Sequence, residues 1–289
     1  MQPCFTPTDR AGSVSCTITR YRSGTWTATT DHVVEELPVA LVFNGISHAV
    51  MMTTPIDLEA FALGFALSEG IVENASDVFD IEVMLRPDNA EVQLTISQQA
   101  FMALKDKRRT LTGRSGCGVC GIESIALLDL HPSRIDHAGT ANDIGAAAIE
   151  RAARELPVHQ VLMRETGGIH AAAWCSRDGE VLGVFEDVGR HNALDKLIGQ
   201  LARLRIDTRT GFVFLSSRAS YELVRKAARV GVPMIATISA PTSLAINIAQ
   251  QAGLRLLGFC REHGFVEYAS PATESGPALT PATACSLSR

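Results

Sequence analysis

Two cysteines, Cys117 and Cys120, lie three positions apart in a stretch that is rich in glycine. Four glycines fall between Gly113 and Gly121, which predicts a loop because glycine reaches positive φ at little cost and has no side chain to pack. A thiol reacts as its thiolate, and a neighbouring guanidinium such as that of Arg114 favours that form. The bare backbone would let the active site of another protein approach the sulfur of Cys117. This stretch therefore predicts sulfur chemistry.

A single CxxC pair is compatible with three kinds of chemistry. It can be half of a zinc site, which needs two further ligands, and the chain contains no second CxxC. It can be a thioredoxin-like thiol–disulfide redox pair, although that motif normally lies between a strand and a helix in a βαβ unit. It can be a nucleophilic thiol that carries sulfur, which an exposed loop favours. The spacing alone leaves all three open.

Zinc-dependent deaminases also combine a CxxC with an α/β sheet, and the sequence argues against that class. Their signature pairs H-x-E with P-C-x-x-C. None of the eight histidines is followed two residues later by glutamate, and Gly116 rather than proline precedes Cys117. We therefore expect neither deamination nor a stoichiometric bound metal.

The segment 186–193, EDVGRHNA, joins a predicted strand to a predicted helix. It has a structural interpretation, in which aspartate or asparagine caps the free amides of the turn. It also has a functional one, in which the helix amides, Arg190 and His191 bind an anion. The chemistry of the residues does not decide between the two.

Strands and helices alternate through the last third of the chain, which predicts a parallel sheet covered on both faces. Ligands of such sheets gather where the strands end and the next helices begin. Ser217 and Arg218 follow one predicted strand, Thr242 follows the next, and Cys260 and Arg261 come at the end of the third. Cys260 has the character of a buried apolar residue, whereas Arg261 is suited to meeting a ligand.

The composition fits a globular protein, with 46% apolar and 20% charged residues. A net charge of −5 argues against nucleic-acid binding, and the chain has no run of 18 apolar residues to span a membrane. The first ten residues do not resemble a secretion signal, and the seven cysteines do not form a disulfide pattern. The cytoplasm, with reduced thiols, is the expected location.

The elements that must position these residues divide the chain into five regions. We expect residues 1–30 to be a loose extension and residues 31–112 to form an α+β N-terminal domain. Residues 113–121 are the flexible glycine-rich CxxC loop, residues 122–270 form an α/β domain, and residues 271–289 are a disordered tail. Within them, Asn44-Gly45 predicts a hairpin turn, Gly70 the end of a helix, and Pro157 the start of another.

Six stretches in a consistent order resemble the formate dehydrogenase accessory sulfurtransferase family, FdhD. They are residues 113–121 (GRSGCGVCG), 166–172 (TGGIHAA), 186–195 (EDVGRHNALD), 216–219 (SSRA), 238–242 (ISAPT) and 258–261 (GFCR). Together they span about residues 30–270, which is far more specific than one CxxC.

The resemblance implies a function for the sulfur chemistry. Members of the family take persulfide sulfur from a cysteine desulfurase and pass it to the molybdenum (or tungsten) bis-molybdopterin guanine dinucleotide cofactor, which is then inserted into formate dehydrogenase. They are homodimers, and their C-terminal domain resembles the cytidine deaminase fold without its zinc.

The resemblance also implies site residues. The persulfide intermediate would be Cys117, with Cys120 secondary. The cofactor would be contacted by Phe259, Cys260, Arg261, Glu262, His263 and Gly264, with Arg190, His191, Ser217 and Arg218 as further candidates. GDP would be a fragment of that cofactor. The competing class is a chaperone that binds the cofactor without transferring sulfur.

Overall fold

The computed structural model describes residues 5–7, 11–109, 130 and 132–271. These residues form a mixed α/β structure with sheets of three, four and six strands. The CxxC loop predicted at 113–121 lies outside the described residues, as does the predicted tail beyond residue 271. No helix in the described ranges is long and apolar enough to cross a membrane.

The first sheet is antiparallel and consists of β1 (Phe5–Pro7), β2 (Ser13–Arg22) and β3 (Thr25–Val34). A two-residue turn with positive φ at Ser23 and Gly24 joins β2 to β3. The prediction of a loose extension was therefore wrong for residues 13–30. On β2, Val14, Cys16 and Ile18 alternate with serine and threonine, which is the period-two pattern of a strand, so the sequence carried a signal for this sheet that the prediction missed.

The second sheet belongs to the N-terminal unit and has the order β5-β4-β7-β6. Its strands are β4 (Leu37–Phe43), β5 (Ile46–Thr53), β6 (Val78–Leu85) and β7 (Ala90–Ile96). The predicted turn at Asn44-Gly45 is confirmed, since both residues have positive φ and β4 pairs with β5 across it. The helices are α1 (Leu58–Ser68), followed by Gly70 at φ +63°, and α2 (Gln98–Arg109).

The third sheet is the six-stranded one, with the order β13-β12-β11-β10-β8-β9. Its strands are β8 (His170–Ser176), β9 (Val181–Asp187), β10 (Gly211–Leu215), β11 (Met234–Thr237), β12 (Arg255–Arg261) and β13 (Gly264–Ala269). The helices of the same domain are α3 (Ala146–His159), α4 (Val161–Thr166), α5 (Arg190–Arg203), α6 (Tyr221–Arg229) and α7 (Ser243–Ala252).

The parallel pairing predicted for the alternating strands is confirmed for β10, β11 and β12, whereas β8, β9 and β13 pair antiparallel to their neighbours. β13 follows β12 by a short reversal with no helix between them, so the alternation of strands and helices does not extend to it. One prediction for this region needs correction, and it concerns Pro157, which lies inside α3 and does not start a new helix.

The six-stranded sheet is covered by helices on both faces, as predicted. Side chains of α3 pack with Phe212, Phe214 and Met234 on one face. Side chains of α5, α6 and α7 pack with Val213 and Ile235 on the other. The three layers agree with the predicted α/β/α arrangement, while the likeness to the cytidine deaminase fold stays a prediction.

The N-terminal unit joins this domain where α1 crosses α5. A Cβ atom on Gly64 of α1 would lie 1.7 Å from the carbonyl oxygen of Asp195, and one on Gly199 of α5 would lie 1.8 Å from that of Ala60. The two backbones therefore touch, and only glycine fits at either position. Every residue of α1 except Glu59 is buried, because the helix lies between the four-stranded sheet and α5.

Candidate functional site

Five segments of the chain meet at one edge of the six-stranded sheet, which we name the carboxyl edge. The parallel strands β10, β11 and β12 end there, while β8 begins and β9 ends there because they run antiparallel. The segments are residues 167–170, 187–191, 216–220, 238–242 and 259–264. Backbone hydrogen bonds join neighbours, including Ser216 N to Ala171 O (3.0 Å), Thr242 N to Ala219 O (3.0 Å) and Phe259 N to Ser239 O (3.2 Å).

Three helices point their N-termini at the carboxyl edge. α5 begins after Gly189, α6 after Ser220 and α7 after Thr242. The Thr242 hydroxyl accepts from the amide of Ala245 (3.3 Å), but neither Gly189 nor Ser220 caps its helix with a side chain. Unpaired first-turn amides and the helix dipoles make such an edge attractive to anions.

Arg190 is the central cation of this edge. Its Nε atom is buried and meets no hydrogen-bond acceptor in the described part of the chain. Burial and the nearby Arg190 lower the pKa of His170, although Asp187 opposes them. Burial, Arg190 and Lys226 lower the pKa of His191 to about 4. Both histidines therefore favour the neutral form at neutral pH, and the arginine supplies the positive charge.

His191 has two polar neighbours on α6 and its cap. Its Nε2 atom lies 3.5 Å from the Ser220 hydroxyl and 3.8 Å from a Glu222 carboxylate oxygen. The latter distance would suit an ion pair, but a pKa near 4 means that burial and the two cations outweigh that carboxylate. The imidazole is thus a neutral hydrogen-bonding group.

Residues 259–264, which are predicted to contact the cofactor, lie partly at the surface and partly in the core. Phe259 has φ +53°, a left-handed conformation that is rare for a bulky residue, and its side chain is 44% exposed. Arg261, Glu262 and His263 are exposed around the turn between β12 and β13, and Gly264 is half-buried where β13 begins. These residues present a polar surface beside an aromatic ring.

Cys260 faces the other way, with 1% of its surface exposed. Burial raises the pKa of its thiol to about 11, so it is neither accessible nor ionised at neutral pH. A ligand at the carboxyl edge would meet its backbone rather than its sulfur. Ser217 is also buried and donates to the carbonyl of Arg218 (3.1 Å), whereas the Arg218 side chain is exposed.

The capping role that the sequence allowed for segment 186–193 is confirmed at Asp187, while anion binding by Arg190 and His191 stays a prediction. Arg190 and His191 belong to the carboxyl edge, but Asp187 is fully buried beneath it. Its carboxylate accepts from the Thr53 hydroxyl and from the amides of Thr54 (3.1 Å) and Gly189 (2.8 Å). Asp187 therefore fixes the start of α5 against the end of β5.

Asp195 makes a second buried connection to the N-terminal unit. It accepts from the Ser68 hydroxyl at 2.6 Å and pairs with Lys226 at 2.7 Å, and Lys226 also pairs with Glu69 at 2.8 Å. Burial alone would lower the pKa of Lys226, but Asp195 and Glu69 outweigh it and hold that pKa above its usual value. Ser68 is 127 residues from Asp195 and Glu69 is 157 residues from Lys226, so sequence spacing could not reveal these partners.

Sequence reasoning also missed some members of the site. His170, Ser220 and Glu222 lie around Arg190 and His191, and only His170 falls in a quoted motif. Cys117 and Cys120 lie outside the described residues. Within the described ranges, no three His, Cys, Asp or Glu side chains could hold a metal ion together. The expected absence of metal stays a prediction.

Comparison with known proteins gives the family. The model of the FdhD/NarQ family matches residues 34–273. A Burkholderia mallei protein named "Sulfur carrier protein FdhD" is 65% identical over 262 residues, covering 89% of this chain and 96% of its own length. A protein of the same name from Chromobacterium violaceum is 63% identical over 259 residues, covering 89% and 95%. The chain belongs to the FdhD/NarQ family.

The fold has a counterpart among solved structures. A crystal structure from Desulfotalea psychrophila, described as a formate dehydrogenase accessory protein, superposes with a TM-score of 0.68. It is 23% identical, and the match covers 90% of this chain and 97% of the other. At that identity the likeness extends to the fold alone.

Proposed function

We propose that this protein is a sulfur carrier in the maturation of formate dehydrogenase, as the names of its relatives suggest. In this proposal Cys117 accepts sulfur from a cysteine desulfurase, and the protein delivers it to the molybdenum bis-molybdopterin guanine dinucleotide cofactor. The observation that carries the proposal is the convergence of five separated motifs on the carboxyl edge, while the sixth motif holds the two cysteines.

The loading step is an exchange between sulfurs. The Cys117 thiolate attacks the outer sulfur of the desulfurase persulfide, the sulfur–sulfur bond of that persulfide breaks, and the desulfurase cysteine leaves as a thiolate. Cys117 then carries the extra sulfur as its own persulfide. The rate depends on the thiolate fraction and on access, which the glycines around Cys117 favour. Cys120 has a secondary role.

The cofactor is the substrate of this protein, and its diphosphates suit the carboxyl edge. The first turns of α5, α6 and α7 offer amides, and the free Nε of Arg190 offers a buried donor without an acceptor. Arg218 and Arg261 add exposed charge. The exposed ring of Phe259 is available to a guanine base, because aromatic faces stack on every base. His191, Glu262, His263 and Gly264 complete the surface.

One experiment separates the sulfur carrier from a chaperone that only binds the cofactor. The protein is incubated with a cysteine desulfurase and cysteine and then analysed by mass spectrometry. A gain of about 32 Da at Cys117 is expected, the mass of one sulfur atom. Cys117→Ser should lose this gain and the activation of formate dehydrogenase while still binding GDP.

Cys120→Ala is the matched control, because it removes the other thiol of the same loop. It should load sulfur and activate the client enzyme to a greater extent than Cys117→Ser. If Cys117→Ser still activated formate dehydrogenase fully, the protein would be a cofactor chaperone. If an intramolecular Cys117–Cys120 disulfide formed in place of the persulfide, the protein would be a redox protein.

A further inference from the structure

His191 lies between the N-termini of two helices at the carboxyl edge. It is in the first turn of α5, and its Nε2 atom faces the start of α6, 3.5 Å from the Ser220 hydroxyl and 3.8 Å from a Glu222 carboxylate oxygen. The side chains of His191 and Glu222 are each 24% exposed. The imidazole is therefore partly accessible and close to any anion that binds at these two helix ends.

Two cations and two carboxylates act on this imidazole. The cations are Arg190 of α5 and Lys226 of α6, and the carboxylates are Glu222 of α6 and Glu69 at the end of α1. Lys226 is already neutralised, because it pairs with Asp195 at 2.7 Å and with Glu69 at 2.8 Å. The buried Nε of Arg190, by contrast, meets no acceptor in the part of the chain that the structure describes. Apart from burial, the charge that opposes protonation of the imidazole is therefore chiefly that of Arg190.

Glu222 is a carboxylate that can pair with a protonated His191. Burial alone would raise the pKa of Glu222, but hydrogen bonds from the Ser220 hydroxyl and its own amide, together with nearby Arg190, outweigh burial. They hold the pKa of Glu222 below its usual value, so this side chain carries a negative charge at neutral pH. A proton on the imidazole would turn the 3.8 Å contact into an ion pair.

His170 is the other histidine beside Arg190, and its situation differs. The carboxylate that acts on it is Asp187, which is already paired with the buried ammonium of Lys196 at 2.7 Å. That carboxylate is committed to one cation and is a poor partner for a second. The geometry therefore favours His191 over His170 as the group that gains a proton when the charge of Arg190 is neutralised.

We propose that His191 takes up a proton from solvent when the diphosphate of a guanine dinucleotide binds at the carboxyl edge, a step that rests on the proposed function. An anion that pairs with Arg190 removes the repulsion between this cation and a protonated imidazole, and it adds negative charge of its own. Both effects return the pKa of His191 toward its ordinary value of 6.5. The imidazolium, supported by Glu222, then becomes a second cation for the diphosphate.

Proton uptake makes the affinity depend on pH in a defined direction. The pKa of His191 is higher in the bound protein than in the free one, so protonation strengthens binding in mild acid. The extra affinity is lost as the pH rises through the pKa of the bound state. When the cofactor leaves for the client enzyme, His191 returns its proton to solvent.

The probe for this step is GDP-mannose. Its diphosphate bridges two groups, as the diphosphate of the dinucleotide cofactor does, and so has no phosphate that takes up a proton between about pH 5 and pH 7.5. The terminal phosphate of GDP titrates near pH 6, as phosphate monoesters do, and would mask the histidine.

Calorimetry at pH 6 in two buffers of different ionisation enthalpy, MES and bis-tris, measures the protons taken up with GDP-mannose. The unmodified protein should take up about half a proton or more and bind about tenfold more tightly at pH 5 than at pH 7.5. His191→Gln keeps a polar side chain that cannot be charged, and it should lose most of the uptake and of the pH dependence. His159→Gln replaces an exposed histidine in the last turn of α3, outside the carboxyl edge, and should behave like the unmodified protein.

Glu222→Gln tests the partner of the imidazolium. It removes a negative charge from the edge, so it should bind GDP-mannose at pH 7.5 no more weakly than the unmodified protein, yet take up less of a proton at pH 6. Binding without proton uptake, or uptake that survives in His191→Gln and disappears in His170→Gln, would overturn the inference and leave the proposed function standing. Absence of GDP-mannose binding at every pH would overturn both.

Discussion

The ammonium of Lys196 lies 2.7 Å from the carboxylate of Asp187, and neither side chain is exposed to solvent. Lys196 also donates to the carbonyls of Thr54 (3.0 Å) and Glu186 (3.2 Å). The pair therefore connects three parts of the structure, which are the end of β5, the end of β9 and the first turns of α5. It holds the start of α5, and hence Arg190, at the carboxyl edge.

Removing one member of this pair should destabilise the whole protein. Asp187→Ala leaves the ammonium of Lys196 buried without its partner, and a broken buried pair costs about 3–5 kcal/mol of unfolding free energy. Urea denaturation followed by circular dichroism measures the change. Asp143→Ala is the control, because it breaks the exposed pair with Arg177 and should leave the transition almost unchanged. An Asp187→Ala protein as stable as that control would mean that the buried pair contributes little.

The crossing of α1 and α5 should not tolerate a methyl group. Gly64→Ala would place its Cβ 1.7 Å from the Asp195 carbonyl oxygen, so the helices must separate and the buried contacts of Ser68 and Lys226 with Asp195 must stretch. We expect a loss of more than about 3 kcal/mol, at the upper end of single substitutions. Gly183→Ala has nothing within 4 Å of its new Cβ and should be nearly neutral in the same denaturation assay. Equal stability of the two variants would contradict the close crossing.

Arg261 should contribute to binding of the guanine nucleotide. A charged hydrogen bond contributes about 1.5–3 kcal/mol, so Arg261→Ala should weaken GDP about tenfold or more in calorimetry. Persulfide formation at Cys117 should survive, because loading and cofactor binding use different surfaces in the proposed function. Arg209→Ala, an exposed arginine next to the start of β10 and so at the opposite edge, is the control and should bind GDP normally. Unchanged affinity in Arg261→Ala would move the cofactor to another surface.

His191 should make the protein less stable in mild acid. Its pKa falls from 6.5 to about 4 on folding, so the unfolded chain binds the proton more readily between these values. Stability should therefore decrease as the pH falls from about 6.5 to 4, by about 3 kcal/mol at most, since one pKa unit corresponds to 1.36 kcal/mol. The groups that set this balance are Arg190, Lys226, Glu222 and Glu69.

The measurement is the unfolding free energy across that pH range for the protein and for His191→Gln. The glutamine variant should lose less stability over the same interval, because it has no imidazole to protonate. His170 contributes in the same direction and remains in both proteins. Parallel pH profiles for the two proteins would show that His191 is already solvated.

Three cysteines should resist modification in the folded protein. Cys16, Cys175 and Cys260 are 7%, 0% and 1% exposed, and burial raises the pKa of the thiols of Cys175 and Cys260. Alkylation at neutral pH followed by peptide mass spectrometry should leave these three unmodified until urea is added, whereas Cys117 should react at once. Rapid labelling of Cys260 would mean that the end of β12 opens readily.

The sequence by itself determined the family motifs, the hairpin turn at Asn44-Gly45, the end of α1 before Gly70 and the order of strands and helices from α5 to β12. These features depend on near neighbours in the chain, since turn chemistry and apolar period act over a few residues. The resemblance to the FdhD family, confirmed by the family match, has the same origin, because each motif is a short local stretch.

The tertiary structure decided what the local pattern could not. Arg190 and Asp187 are three residues apart, yet one lies at the carboxyl edge and the other beneath it, because the Thr53 hydroxyl and the Thr54 amide at the end of β5 donate to the Asp187 carboxylate. Asp195 and Lys226 likewise bond to Ser68 and Glu69, which lie 127 and 157 residues away in the chain. In both cases the deciding contact joins residues that are distant in the sequence, so no spacing in the sequence records it.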